Sequence, residues 1–201
     1  MGTSTDQVKA LRERTGAGIM DCRKALAETN ADLDKAIEYL RRHGIAKSAK
    51  FAAKKAADGL IHAYIHPGGR IGVIIEVNCE TDFVARTDDF KNLVNELALQ
   101  VAATNPLGIN REDVPAEVIE KEKDIYKDAA RAEGKPDKVI DKIVEGRLVK
   151  YYEEVCLSDQ IWIKDKDQEK KIGDLVKELS GKTGENIVVR RFTRFQLGEA
   201  S

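Results

Sequence analysis

The sequence has few of the residues that catalytic and metal-binding sites require. It contains three cysteines and three histidines in 201 residues. Cys22, Cys79 and Cys156 lie far apart without a CxxC pair, which argues against a disulfide framework and a zinc ribbon. No GxSxG motif is present, and so few histidines leave a nucleophilic triad little to draw on. We therefore expect a protein without catalytic residues, bound metal or cofactor, whose cysteines are reduced and mostly buried.

Two partial motifs do not change this expectation. The Gly-Lys-Thr sequence at 181–183 ends like a phosphate-binding loop, but Val176 stands where that motif needs its first glycine. His62 and His66 lie on an apparent strand, and no third metal ligand is near them in the sequence. Neither nucleotide binding nor metal binding is therefore expected of these residues.

The chain also lacks an excess of charge of one sign and any long apolar run. It has 34 Lys and Arg against 35 Asp and Glu, which gives a formal net charge of −1. Nucleic-acid-binding proteins show a basic excess, so this balance argues against direct binding of nucleic acid. No run of about 18 apolar residues and no apolar signal segment at the N-terminus are present. We expect a soluble, cytoplasmic protein that does not bind membranes.

The first part of the sequence predicts a small helical module. Residues 1–5 are small and polar, and we interpret them as a disordered end or an expression remnant. Residues 6–44 carry apolar stripes at helical spacing that predict three short helices, with a glycine turn at 15–18 and Gly44 as the stop. Residues 45–57 are rich in alanine and lysine and are predicted to form a basic helical connector.

The remaining residues, 58–201, predict an α+β core domain. Two β-rich runs at 60–66 and 70–78 flank Pro-Gly-Gly, a turn signal of antiparallel hairpins. A long amphipathic helix follows, with its apolar stripe at Phe90, Leu93, Val94, Leu97, Ala98 and Val101. Because a two-stranded hairpin is marginal alone, residues 186–197 are predicted to add a strand. We expect an antiparallel sheet of about three strands packed with helices.

Two groups of residues allow more than one interpretation. Phe83 follows Asp82 just after a strand gives out. It is either a core residue with Thr81 or Asp82 as a helix cap, or an aromatic that enters the pocket of a partner. Ile19 and Met20 follow the glycine turn and, as neighbours on a helix, point about 100° apart. At most one of them can therefore be deeply buried in so small a core. One of the two is expected to be a contact residue.

Three segments resemble the bacterial elongation factor Ts family. They are LRERTGAGIMDCRKAL at 11–26, NCETDFVAR at 78–86 and GENIVVRRF at 184–192, and the likeness runs from about residue 6 to residue 199. The resemblance implies a guanine nucleotide exchange factor of translation elongation, which binds elongation factor Tu with GDP and promotes GDP release so that GTP binds. It also implies that the protein performs no covalent chemistry and does not bind nucleotide itself.

The resemblance assigns the partner contacts to two places. The module at 6–44 is similar to ubiquitin-associated domains and would dock on elongation factor Tu through Arg12, Ile19 and Met20. The second segment would enter between two helices of the partner and displace Mg²⁺. Its residues are Thr81, Asp82, Phe83 and Val84.

The chain departs from the longer members of the family. Their core is duplicated and followed by a helical arm, whereas this sequence has one GGRIGVIIEV hairpin, without a second copy or an arm. One molecule therefore offers only half of the usual core contacts. We expect residues 58–201 to form a homodimer about a two-fold axis, and the dimer to form a 2:2 complex with elongation factor Tu.

A rival interpretation makes the chain an RNA-associated protein. It would use the lysines of residues 45–55 and Arg190, Arg191 and Arg194 on the last strand. The net charge of −1 and the absence of an aromatic-rich binding motif argue against it. The interpretation of the chain as an enzyme is weaker still, because the sequence does not show the paired titratable groups of a catalytic pocket.

Overall fold

The computed structural model describes residues 4–199 and confirms the α+β class. The sheet has the strand order β1-β2-β3. A short 3-10 helix lies at Arg111–Asp113. The elements in chain order are α1 (Thr5–Thr15), α2 (Ile19–Glu28), α3 (Leu33–Ser48), β1 (Asp58–Ile65), β2 (Ile71–Cys79), α4 (Asp82–Ala85), α5 (Asp88–Thr104), α6 (Ala116–Ala132), α7 (Asp137–Val155), α8 (Ile172–Thr183) and β3 (Val188–Gln196).

The chain divides into two compact units. The first unit holds the described residues up to Leu60, together with Val77–Leu93 and Asp174–Val188. The second holds Ile61–Glu76, Val94–Gly173 and the described residues from Val189 onwards. None of the helices within residues 4–199 combines the length and the hydropathy that a bilayer span needs.

The three predicted helices at the N-terminus are confirmed as α1, α2 and α3. Ser4 caps α1 in a capping box with Gln7, and Asp32 caps α3 by accepting hydrogen bonds from two backbone N–H groups. Such caps each contribute about 1 kcal/mol to helix stability. Gly16 ends α1 in the left-handed conformation, at φ 62°, which lets the chain reverse into α2. The buried side chains between the helices are Val8, Leu11, Cys22, Ala25, Leu26 and Ala36.

The boundaries of this module differ from the prediction in three places. Residues 1–3 lie outside the described part of the chain, whereas Ser4 and Thr5 already belong to the cap and first turn of α1. Gly44 does not end α3, which continues to Ser48. Its backbone lies close to α8, where a Cβ added to Gly181 would lie 2.3 Å from the carbonyl oxygen of Gly44. Turns at 49–53 then replace the helix predicted for the rest of the connector.

In the second unit, α6 and α7 form a helical pair around their own core. Arg111 pairs with Asp159 at 2.7 Å between Nε and Oδ2, and Arg147 of α7 pairs with Glu133 at 2.8 Å between Nη2 and Oε1. The buried residues of this core are Val114, Ile119, Ala130, Ile140, Val144, Leu148 and Cys156.

The sheet and α5 follow the predicted apolar patterns. All six residues of the predicted α5 stripe are buried. On β2 the alternate residues Val73, Ile75 and Val77 are buried, as expected for a strand with one face on the core. Arg194 of β3 donates from Nε to the carbonyl oxygen of Ala102 at 3.3 Å, which ties the last strand to the end of α5.

The opposite face of the sheet exposes large apolar side chains, and we call this set the apolar sheet face. A groove of about 470 Å³ runs beside Ile65, Ile74 and Phe195. Exposed apolar groups of this size in one patch indicate an interaction surface. The members are Ile61, Ile65, Ile74, Phe195 and Leu197, which are 50–70% exposed.

The contact between Gly44 and Gly181 predicts how two glycines respond to alanine. Gly181→Ala should lower the free energy of unfolding by about 2 kcal/mol, because the added methyl would force α3 and α8 apart. Gly146 of α7 is the matched control, since its Cβ would meet open space. Gly146→Ala should raise stability by about 0.5–1 kcal/mol. Urea unfolding of both variants checks this, and a Gly181→Ala protein as stable as the wild type would contradict it.

Candidate functional site

The site centres on Phe83, which lies in α4 just after β2 ends. Its side chain is 79% exposed, whereas Phe90, seven residues on, is fully buried. The interpretation of Phe83 as a core residue is therefore wrong. The accompanying expectation of a cap is correct, because the Thr81 hydroxyl accepts a hydrogen bond from the Val84 N–H at 3.4 Å.

The neighbours of Phe83 explain its outward position. Val84 and Ala85 are 6% and 4% exposed and anchor α4 on the core. Successive residues of a helix point about 100° apart, so a turn that buries these two directs Phe83 towards solvent. Leaving the ring in water forgoes about 1.5–3 kcal/mol of burial that a core position would give. The ring is therefore available to a partner at the expense of the stability of the free protein.

Asp82 is also accessible. Its carboxylate pairs with Arg86 at 2.9 Å, and the two side chains are 60% and 80% exposed. Exposed pairs of this kind contribute about 0–1 kcal/mol, so a partner group can replace Arg86 easily. The tip of the site therefore presents an aromatic ring beside an accessible carboxylate.

The segment before Phe83 is held by groups that sequence reasoning did not single out. The Glu80 carboxylate accepts a hydrogen bond from the Asn186 N–H at 2.7 Å and pairs with Lys54 at 3.1 Å. In return, the Glu185 carboxylate accepts from the backbone N–H groups of Glu80 and Thr81, both at 3.1 Å. Glu185 and Asn186 belong to the motif at 184–192, which supported the family resemblance. The sequence analysis assigned these two residues no structural role.

The predicted docking residues lie in the same compact unit as Thr81–Val84. Ile19 and Met20 occupy the first turn of α2 and are 50% and 72% exposed, so both are free to contact a partner. Arg12 is exposed on α1. The pattern predicted that one of the two is a contact residue, whereas the structure exposes both, with a cation on the neighbouring helix.

Two kinds of reactive group, clustered metal ligands and nucleophilic thiols, can be compared with the structure. Among residues 4–199 there is no group of three or more His, Cys, Asp or Glu that could hold a metal ion. The three cysteines are free and buried, as expected. Burial raises the pKa of the Cys79 thiol and of the Cys156 thiol to about 11 each, so both are protonated and weakly nucleophilic at neutral pH.

Several basic residues of the RNA interpretation have structural partners. Arg191 pairs with Glu76 at 2.7 Å, and the Arg194 side chain is 8% exposed and bonded to Ala102. Lys54 of the connector pairs with Glu80. These cations are engaged within the fold, which weakens the case for a phosphate-binding surface.

The hydrogen bond on Glu80 predicts a pH dependence of stability. The Asn186 N–H lowers the pKa of Glu80 below its ordinary value of 4.5. A carboxyl group whose pKa is lower in the folded than in the unfolded chain stabilises the fold at any pH above its unfolded-state pKa. This contribution is lost as the pH falls through its folded-state pKa. Glu80→Gln should therefore reduce the free energy of unfolding at neutral pH, and the gap to the wild type should narrow as the pH falls below about 4.5. Urea unfolding over a pH series measures the gap, and a constant gap would contradict the prediction.

Comparison with known proteins places this geometry in a family. The family model described as "Elongation factor TS" matches residues 45–199. Elongation factor Ts of Moorella thermoacetica is 62% identical over 192 residues, which cover 96% of this chain and 94% of the relative. Elongation factor Ts of Thermoanaerobacter sp. (strain X514) is 59% identical over 196 residues, covering 98% of this chain and 95% of the relative. The chain therefore belongs to the elongation factor Ts family.

Proposed function

We propose that the chain is a guanine nucleotide exchange factor of translation elongation, acting in the cytoplasm on elongation factor Tu. It binds the GDP form of that GTPase, displaces Mg²⁺ and promotes GDP release, without covalent chemistry. Membership of the elongation factor Ts family supports the partner and the process. The observation that carries the proposal is Phe83, whose ring is 79% exposed on a turn anchored by Val84 and Ala85.

The physical basis is a difference in binding energy between two states of the partner. A GTPase holds GDP through phosphate contacts and a Mg²⁺ ion that neutralises charge, so displacing the ion weakens the phosphate contacts. A factor that binds the nucleotide-free form more tightly must weaken nucleotide binding by the same ratio. Each tenfold decrease in nucleotide affinity requires about 1.4 kcal/mol more contact energy with the nucleotide-free partner than with the loaded one. Burying Phe83 in the partner contributes about 2–3 kcal/mol, enough to lower nucleotide affinity by about one to two orders of magnitude.

The two exposed regions of the first unit take different parts in this proposal. Ile19, Met20 and Arg12 dock the chain on the partner and contribute affinity. The Thr81–Val84 segment enters between two helices of the partner near the Mg²⁺ site and contributes the difference between the loaded and the empty state. Asp82, beside the ring, either repels the phosphates of GDP through its negative charge or accepts hydrogen bonds from backbone amides of the partner.

Phe83→Ala tests the proposal directly. The substitution removes an exposed ring, so the fold and the oligomeric state should be unchanged. Release of labelled GDP from elongation factor Tu should slow by about tenfold or more, because truncation removes most of the differential contact. Stopped-flow fluorescence of the labelled GDP measures the rate of its release.

The matched control is Ile125→Ala, which truncates an exposed apolar side chain of α6 that is 48% exposed. It should release GDP at the wild-type rate. An unchanged rate for Phe83→Ala would place the exchange activity in the docking residues or elsewhere, and would contradict the role given to the ring.

We also propose that two copies of the chain associate through the apolar sheet face and that each copy engages one elongation factor Tu, giving a 2:2 complex. This face carries four large exposed apolar side chains on the three strands and a fifth just after β3, a surface that sheet-on-sheet packing would cover. A two-fold axis pairs the patch with itself and buries both copies at once, leaving no open face for further association.

The dimer proposal predicts a monomeric variant. Phe195→Asp places a charge within the proposed contact, where its desolvation is unfavourable, and should shift the protein to a monomer in sedimentation velocity. Ile125→Asp, a similar change outside the apolar sheet face, should leave the dimer intact. A wild-type protein that sediments as a monomer and exchanges nucleotide at full rate would overturn the proposal.

A further inference from the structure

The carboxylate of Glu185 collects hydrogen bonds from the residues that lead into Phe83. It accepts from the backbone N–H groups of Glu80 and Thr81 at 3.1 Å each and from the Thr81 hydroxyl at 2.6 Å. An ionised carboxylate accepts such bonds with both oxygens and forms stronger bonds than a neutral acceptor does. Glu185 thus holds both the backbone and the side chain of the residue that caps α4.

The bond to the Thr81 hydroxyl orients the cap. A hydroxyl has one proton to donate and lone pairs to accept with. Because the proton is directed at Glu185, a lone pair is left to accept from the Val84 N–H at 3.4 Å. Glu185 therefore fixes the hydroxyl in the orientation that α4 needs at its first turn.

Glu185 is itself fixed by the end of α8. Gly184 adopts a left-handed conformation, with φ 76°, and its N–H donates to the Ser180 carbonyl. The Ser180 hydroxyl then donates to the Glu185 carbonyl oxygen at 2.5 Å. The backbone that carries the carboxylate is therefore hydrogen-bonded to the last turn of α8.

A reciprocal set of bonds fixes the adjoining residue. Asn186 donates its backbone N–H to Glu80 and its side-chain amide to the carbonyl oxygens of Ala52 and Lys54, the latter at 2.8 Å. Each segment thus donates a backbone N–H to a glutamate of the other. A crossed arrangement of this kind resists both sliding and separation of the two segments.

External support matters because α4 has only four residues. A single helical turn is not stable alone, since the cost of nucleation is not recovered in so short a helix. The outward position of Phe83 therefore depends on what holds the segment at its start. At that start, three hydrogen bonds join the segment to the Glu185 carboxylate.

We propose that Glu185 is a positioning residue for nucleotide exchange, acting through Thr81 to hold Phe83 outward before a partner binds. This inference rests on the proposed exchange function and adds a requirement to it: the ring must be preorganised as well as present. A segment that is already ordered loses less conformational entropy on binding, so more of the contact energy is available to distinguish the empty partner from the loaded one. Glu185 makes no contact with the nucleotide in this account.

Glu185→Gln tests the inference at two levels. The amide keeps the size of the side chain but replaces one accepting oxygen with a donor group, which opposes the N–H or O–H donors around it. Amide hydrogen exchange at Glu80 and Thr81 should accelerate by about tenfold or more, because their acceptor is weakened. Catalysed GDP release should slow by about fivefold to tenfold.

A double-mutant cycle separates positioning from general damage. In the Phe83→Ala background the ring is already gone, so Glu185→Gln should slow GDP release by no more than about a further twofold. A purely structural effect would reduce the rate equally in both backgrounds. Glu117→Gln, an exposed glutamate of α6, is the matched control and should change neither hydrogen exchange nor GDP release.

The outcomes distinguish this inference from the proposed function. If Phe83→Ala slows GDP release and Glu185→Gln does not, the exchange function stands and the positioning role is overturned. If Phe83→Ala has no effect on GDP release, the exchange function of the ring fails. In that case the hold of Glu185 on the segment is judged by hydrogen exchange alone, and full protection of the Glu80 and Thr81 amides in Glu185→Gln overturns it.

Discussion

The exposed ring of Phe83 depends on hydrogen bonds between two segments that lie 105 residues apart in the chain. Glu185 accepts from Glu80 and Thr81, and Glu80 accepts from Asn186. These bonds satisfy the backbone where β2 gives way to α4, a place where neither ladder nor helix can satisfy it. The ring is thus carried by a polar framework, while the apolar anchors Val84 and Ala85 keep the turn on the core.

This arrangement separates the energy that folds the chain from the energy that acts on a partner. The cores of the three-helix module and of the α6–α7 pair are complete without Phe83, so the free protein is folded with the ring in water. The contact energy of the ring, about 2–3 kcal/mol, is then gained only on binding. In an exchange factor, energy gained with one state of the partner and not the other is what changes nucleotide affinity.

Local patterns predicted most of the fold, and at the site they singled out Phe83 but not the glutamate that holds its segment. The stripe of α5, the hairpin turn and the alternation on β2 are set by neighbours a few residues away, so periodicity reveals them. Gly44 misled because a glycine inside a helix looks the same in the sequence as a glycine that ends one, and the neighbour of Gly44 in the fold, Gly181, is distant in the sequence. The local pattern around Phe83 fitted both a buried position and an exposed one. Glu185 was missed because its hydrogen-bond partners are distant in the sequence, and one glutamate among many carries no local signal.

In the proposed function, the Phe83 ring leaves water and enters elongation factor Tu when nucleotide is absent. Fluorine NMR of the chain with 4-fluorophenylalanine at position 83 measures this directly. The account predicts a narrow, solvent-exposed signal for the free chain, a shifted and broadened signal with nucleotide-free elongation factor Tu, and return of the first signal when GDP and Mg²⁺ are added. A complex that forms while the signal keeps its free position would contradict it.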